Sequence, residues 1–171
     1  MKVLAFEHKN WNQDKFKVVA DWCLSDPDEI SSRSLKKYRS RILNSYHWDN
    51  NKKLVSDRKK IDYYVKEIFR ELIKKLNNHH NLNNPDHYWA TIILPWLYEL
   101  IANLFDKWEI ARLIKNKKSI EILLKKFDED YFCFRKSDEF SNHNKDLNNY
   151  IFSKVINFKY RNKFKKIKYF N

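Results

Sequence analysis

Asp86 to Trp108 reads Asp-His-Tyr-Trp-Ala-Thr-Ile-Ile-Leu-Pro-Trp-Leu-Tyr-Glu-Leu-Ile-Ala-Asn-Leu-Phe-Asp-Lys-Trp. Trp89, Ile92, Ile93, Trp96, Leu97, Leu100, Ile101, Leu104, Phe105 and Trp108 recur at intervals of three and four, which predicts one helix with a continuous apolar stripe. Asn84-Pro85-Asp86 supplies a start, with Pro near the first helical position and an acid in the first turn. Pro95 lies inside the stripe and predicts a kink or break, because proline lacks the amide hydrogen and crowds residue i−4. The apolar run from Ala90 to Phe105 is interrupted by Pro95, Glu99 and Asn103, so it falls short of the ~18 clean residues of a membrane span.

Outward from this helix the period stays helical upstream. Ile61, Tyr64, Val65, Ile68, Phe69, Leu72, Ile73 and Leu76 predict a helix that starts near Asp57, a plausible N-cap. Asn77 to Asn84 reads as a polar connection. Nearer the N-terminus, Val3-Leu4-Ala5-Phe6 and Phe16 to Trp22 read as short strands rich in β-formers. One helix is expected around Leu35 to Leu43. Downstream, Ser119 to Phe127 is expected to be a helix, Tyr131 to Phe134 a short strand, and Asp146 to Phe158 a last helix. The fold class is therefore helix-rich α/β: short N-terminal strands followed by long amphipathic helices. Two short strands do not make a stable sheet, so either further strands lie hidden in the chain or other chain completes the sheet.

The chain has 171 residues, 43% of them hydrophobic, and no glycine. That length suits one domain or one piece of a larger protein. Lack of glycine excludes the phosphate-cradling loops and the dinucleotide fingerprint that need it. The net charge of +13 admits two readings. One is an anionic partner such as nucleic acid or a membrane surface. The other is biased composition: 27 Lys, 19 Asn and 15 Ile all have A/T-rich codons, and the same bias removes Gly. The bias covers most of the excess. It does not cover its placement: residues 158–171 carry Lys159, Arg161, Lys163, Lys165, Lys166 and Lys168 with no acid, interleaved with Phe158, Tyr160, Phe164, Tyr169 and Phe170. This stretch reads as a basic aromatic tail, the start of missing chain, set apart from a domain over residues 1–157.

Among groups that carry chemistry, Asp128-Glu129-Asp130 has the spacing of a metal-diphosphate motif, but a solvated turn explains it as well. His79, His80 and His87 cluster in a polar connection without further ligands at zinc spacing. Cys23 and Cys133 are far apart and form no Cys-x-x-Cys; a buried structural role suits Cys23. No metal site is assigned. The Trp-rich stripe is first a core, although Trp also stacks on sugar rings.

The ordered Trp motifs resemble a family of transferases encoded in bacterial surface-polysaccharide (lipopolysaccharide or capsule) loci. The resemblance runs through Trp11, Asp21-Trp22-Cys23, His47-Trp48-Asp49, Leu76-Asn77 with a following His, Tyr88-Trp89-Ala90 to Pro95-Trp96-Leu97, Asp106-Lys107-Trp108 and Asp146-Leu147-Asn148. Ala20 and Leu94 stand where the family has Gly, Asp21 where it has Glu, and Ala90 where it has Arg. The family's members are longer, and the chain resembles the N-terminal, acceptor-side lobe of a two-lobed GT-B-like enzyme. The resemblance implies transfer of a glycosyl or related group, with His47 or Asp49 as catalytic base. It implies Trp22, Trp48, Tyr88, Trp89, Pro95, Trp96 and Asp106 as substrate-binding residues. Its partners would be a carbohydrate acceptor and a nucleotide-activated donor, with a separate C-terminal lobe supplying the donor site. No resident cofactor is expected, and a need for divalent metal is left open. The location expected is cytoplasmic, with peripheral contact at the inner membrane face as an extension of it. The alternatives are a split or truncated product inactive alone, and a basic helical module for nucleic acid.

Overall fold

A computed structural model describes residues 2–5, 16–23, 42–114, 120–127, 145–164 and 166–170. The expected helix at Leu35 to Leu43 falls largely outside these residues, and Trp11, Asp128 to Asp130, Tyr131 to Phe134 and Cys133 fall wholly outside them. The chain divides into two compact units, residues 1–46 with 106–171, and residues 47–105.

The first unit is built on a four-stranded parallel sheet of order β2-β1-β3-β4, formed by Lys2–Leu4 (β1), Phe16–Val18 (β2), Glu121–Lys125 (β3) and Lys166–Phe170 (β4). Lys2 is in register with Phe16 on one side and Glu121 on the other, and Glu121 with Lys166. Ile42 bridges Val18 in parallel on the outer side of β2. Ile122, Leu123 and Leu124 are all buried, as expected of a parallel strand covered on both faces.

One expectation is corrected here, and of the two alternatives left open for the sheet the further strands lie within the chain. The segment Ser119 to Phe127 is not a helix but contains β3: its apolar residues Ile120, Ile122, Leu123 and Leu124 form a short run that helix and strand periodicity cannot tell apart. The sheet that two strands could not make is completed within the chain. β4 comes from the stretch set apart as a tail, whose Lys166, Lys168 and Ile167, Tyr169 alternate as a strand requires. Between β3 and β4 the crossover helix α3 (Lys145–Val155) packs against β3 and is followed by a π turn, Ile156–Tyr160.

The second unit is an antiparallel helical hairpin of α1 (Asn51–His80) and the first part of α2 (Asp86–Ile114), which continues into the first unit. Ile61, Val65, Leu97 and Ile101 form its core, flanked by Trp48, Phe69, Ile93, Tyr98 and Phe105. α1 starts six residues earlier than expected. Asn50, not Asp57, is the N-cap, its side chain accepting from Lys53 N at 3.1 Å. Asn81 ends α1 in the left-handed region at φ 52°, its amide bonded back to the helix, a task usually given to Gly and here, in a glycine-free chain, to Asn. α2 runs unbroken through Pro95. The proline ring is exposed, so the carbonyl left without its amide faces water. One turn earlier, the Thr91 hydroxyl donates to His87 O at 3.0 Å. No described helix is long and apolar enough to cross a membrane.

Candidate functional site

In the first unit the chain leaves β2 through a single helical turn, Asp21–Cys23, closed by the Cys23 amide donating to Ala20 O at 3.1 Å. Trp22 and Cys23 are buried. The Lys107 ammonium sits 4.1 Å from the centroid of the Trp22 ring and 2.6 Å from Asp106 Oδ2. Lys107 is only 4% exposed and Asp106 6%. A buried ammonium is tolerated when a carboxylate and an aromatic face replace its water. Two motifs from distant parts of the chain, Asp21-Trp22-Cys23 and Asp106-Lys107-Trp108, thus meet. Phe152 of α3 packs on the other partner of this contact, 6.1 Å from Trp22.

The next turn of α2 continues the polar cluster. Glu109 is buried and accepts two hydrogen bonds from Arg112, at 2.9 and 2.8 Å. Trp108 meets the buried Tyr160 edge-on at 5.6 Å. Burial, and then the charge of Glu109, push the Tyr160 hydroxyl above its usual range.

The carboxyl ends of the strands define an edge where ligands of open α/β sheets bind, at the point where strand order reverses. In the order β2-β1-β3-β4 that point lies between β1 and β3. Lys125, the last residue of β3, pairs with Asp146 in the first turn of α3 at 2.7 Å, both half-buried, and its ammonium lies 5.3 Å from the Phe127 ring. The Trp22 turn stands at the same edge, after β2.

The second unit holds the other predicted residues, at two separated places. His47, Trp48 and Asp49 form a helical turn before α1, with His47 buried, Asp49 exposed and the His47 and Trp48 rings 4.7 Å apart. Trp48 Nε1 donates to Asp57 Oδ2 at 3.3 Å. Asp57 is 1% exposed and also accepts from the Lys53 and Lys60 ammoniums. Burial pushes its carboxyl up, but the hydrogen bonds from Lys53, Lys60 and Trp48 outweigh that and hold it below its ordinary value.

At the opposite end of the hairpin Asn77 Oδ1 accepts from Trp89 Nε1 at 2.9 Å and from Asn84 N at 3.1 Å, and Asn77 Nδ2 donates to Asn84 O at 3.0 Å. His80 stacks on Trp89 at 6.3 Å. The Leu76-Asn77 and Tyr88-Trp89 motifs therefore meet to close the hairpin. Asp57 and Asn77 are twenty residues apart along one helix, or about 30 Å, so His47 and Asp49 do not share a cleft with Tyr88 and Trp89. Tyr88 and Trp96 are exposed, as is Pro95. Among the described residues no group of three or more His, Cys, Asp or Glu could hold a metal ion.

Sequence reasoning missed Lys107, Glu109 and Asp57 as buried charges. One signal was available: Asp106-Lys107 interrupts the apolar helix between Phe105 and Trp108; the structure adds that Asn103, Lys107 and Ala111, at i, i+4 and i+8 of α2, are buried. No such signal marked Asp57, whose partners come from the turn before the helix.

A parallel sheet with a helical crossover, a helical turn after β2 and a buried Asp106–Lys107 pair against the Trp22 of that turn define a helix-rich α/β protein. More particularly, the chain belongs to the LIC12162 family of transferases, whose sequence profile matches residues 3–170. No curated protein and no solved structure matches the chain.

Proposed function

We propose that the chain is the acceptor-side, GT-B-like part of a glycosyl transferase that acts in bacterial surface-carbohydrate synthesis, on the cytoplasmic side of the inner membrane. The observation that carries this reading is the meeting of Asp21-Trp22-Cys23 with Asp106-Lys107 beside the carboxyl edge of a parallel sheet, where α/β enzymes place their ligands. Trp22 and Asp106 are the substrate-side residues that share this place. In the reaction, a base takes the proton of an acceptor hydroxyl as its oxygen attacks the activated carbon of the donor. The nucleotide phosphate departs with the bonding electron pair. His47 and Asp49 are the proposed bases. Trp48 keeps its proposed contact with the reacting sugar beside them, whereas Tyr88, Trp89, Pro95 and Trp96, farther along the hairpin, are proposed to contact a distant part of the acceptor glycan; for Trp89 the hydrogen bond to Asn77 makes that contact secondary to closing the hairpin. A second lobe is the proposed holder of the nucleotide-activated donor.

The test is binding followed by transfer. Titration with a surface-glycan acceptor should quench tryptophan fluorescence of the chain, while a nucleotide sugar alone should not. Tight binding of the nucleotide sugar and none of the acceptor would reverse the lobe assignment. In an active family member, replacement of the residues equivalent to His47 and Asp49 by Ala and Asn should lower turnover about 10²-fold or more. Unchanged turnover in both removes them as bases.

A further inference from the structure

The amino edge of the sheet, opposite the edge discussed above, collects cations. Lys2, Glu121 and Lys166 are register mates at the starts of β1, β3 and β4. Lys168, two residues into β4, pairs with Glu121 at 3.0 Å. Lys168, Lys2 and Lys166 together hold the Glu121 carboxyl below its usual range, so a single acid stands among three cations. The crossover helix α3 delivers the chain to this same edge through the π turn, and Lys159 on that turn and Arg161 just after it are exposed. On this turn Phe158 is 84% exposed. A phenylalanine so far out of any core loses the burial that normally fixes its place. The turn itself is well anchored: Ile156 and Tyr160 are buried, and Asn157 accepts from the Tyr169 hydroxyl of β4. A fixed turn thus presents an apolar ring between cations.

We infer that the amino edge of the first unit, with Phe158 as its apolar tip and Lys2, Lys159, Arg161 and Lys166 as its cations, is a docking surface for an anionic phospholipid bilayer. The chemistry is complementary in both parts: the ring enters the boundary between headgroups and acyl chains, and the ammonium and guanidinium groups meet lipid phosphates. Single-stranded nucleic acid fits less well, because it needs successive aromatic platforms along a groove. Here Phe158 is the exposed aromatic of the described edge; Tyr169, also exposed, lies near the carboxyl end of β4 and is tied to Asn157. The inference rests on the inner-membrane part of the reading above and leaves the carboxyl edge clear for substrate.

The experiment is flotation of the purified chain with vesicles of phosphatidylglycerol and phosphatidylcholine, with vesicles of phosphatidylcholine alone, and, separately, titration with a single-stranded DNA oligonucleotide. The chain should float with the anionic vesicles, lose that binding in high salt, and ignore the neutral ones. Phe158→Ala should weaken vesicle binding, and Lys159→Ala and Arg161→Ala should each weaken it about fivefold, since each cation near an anionic surface contributes about one kcal/mol. These side chains are exposed, so the variants should melt with the parent, which separates lost binding from lost fold. Absence of binding to anionic vesicles, equal binding to neutral ones, or binding untouched by all three substitutions overturns the inference. Loss of DNA binding in the same variants, without vesicle binding, assigns the edge to nucleic acid instead. Failed vesicle binding with intact binding of the soluble acceptor sinks this inference alone; intact vesicle binding without acceptor binding sinks only the transferase reading.

Discussion

Asp57 shows how a single side chain changes meaning between sequence and fold. As the first polar residue before an apolar period it looks like a cap. In the structure it is buried one and a half turns inside α1, collecting an indole and two ammoniums. Its partners lie at positions −9, −4 and +3, and only the last two are helix neighbours that spacing reveals. Asp57→Asn keeps the shape and removes the charge, and should cost about 2 kcal/mol. The pH dependence follows from its depressed pKa. The unfolded carboxyl takes its proton near 3.8 and the folded one lower. The carboxylate's contribution is therefore whole above about pH 4 and is lost as the pH falls through the folded value. Urea unfolding followed by helical circular dichroism, from about pH 5 down to about pH 2, should show a smaller acid loss in the variant than in the parent. Lys107 poses the complementary case in the other unit. Lys107→Met leaves the Asp106 carboxylate buried without its ammonium and should cost about 3 kcal/mol. The double variant with Asp106→Asn should recover part of that, and equal melting of single and double variants would show that the pair is not coupled.

At the scale of elements, the long helices were legible and the strands less so. α2 is readable because ten apolar residues hold one period, and because Asn84-Pro85-Asp86 marks its start. β3 was misread since five residues are too few for period to decide, and the information that settles it, pairing with β1 and β4, is not local. β4 was visible only as alternation inside a basic tail. The candidate site was legible as a set of motifs but not as places. The meeting of Trp22 with Lys107 depends on the sheet, and the separation of His47 from Trp89 on the hairpin register. The turn between α1 and α2 yields its own prediction. Asn81 holds a left-handed backbone at φ 52°. Asn81→Ala should destabilise the hairpin by about 1 kcal/mol, because a Cβ without a compensating side-chain hydrogen bond is disfavoured there. Asn81→Gly should stay within a few tenths of a kcal/mol, relief of strain being offset by a more flexible unfolded chain. Equal losses for Ala and Gly in thermal melting would show that the Asn side chain, not the backbone angle, is what matters.

At the scale of the molecule, the two units differ in how far apart their contacts lie in sequence. The hairpin is contained in residues 47–105, its core residues Ile61, Val65, Leu97 and Ile101 joined by a short turn. A peptide of residues 47–105 should therefore be substantially helical in isolation, and a coil-like spectrum would mean that its helices depend on the other unit. The sheet is the opposite case. β1 has one partner, β2, close by at Phe16, yet its other partner β3 begins at Glu121 and the far strand at Lys166. Long-range parallel pairing closes late. A chain emerging from the ribosome thus completes its hairpin while Lys2–Leu4, paired on one side with β2, still lacks its neighbour on the β3 side. Until Glu121–Lys125 has left the exit tunnel, that side of the strand is an open edge, and the nascent chain is a client for chaperones there.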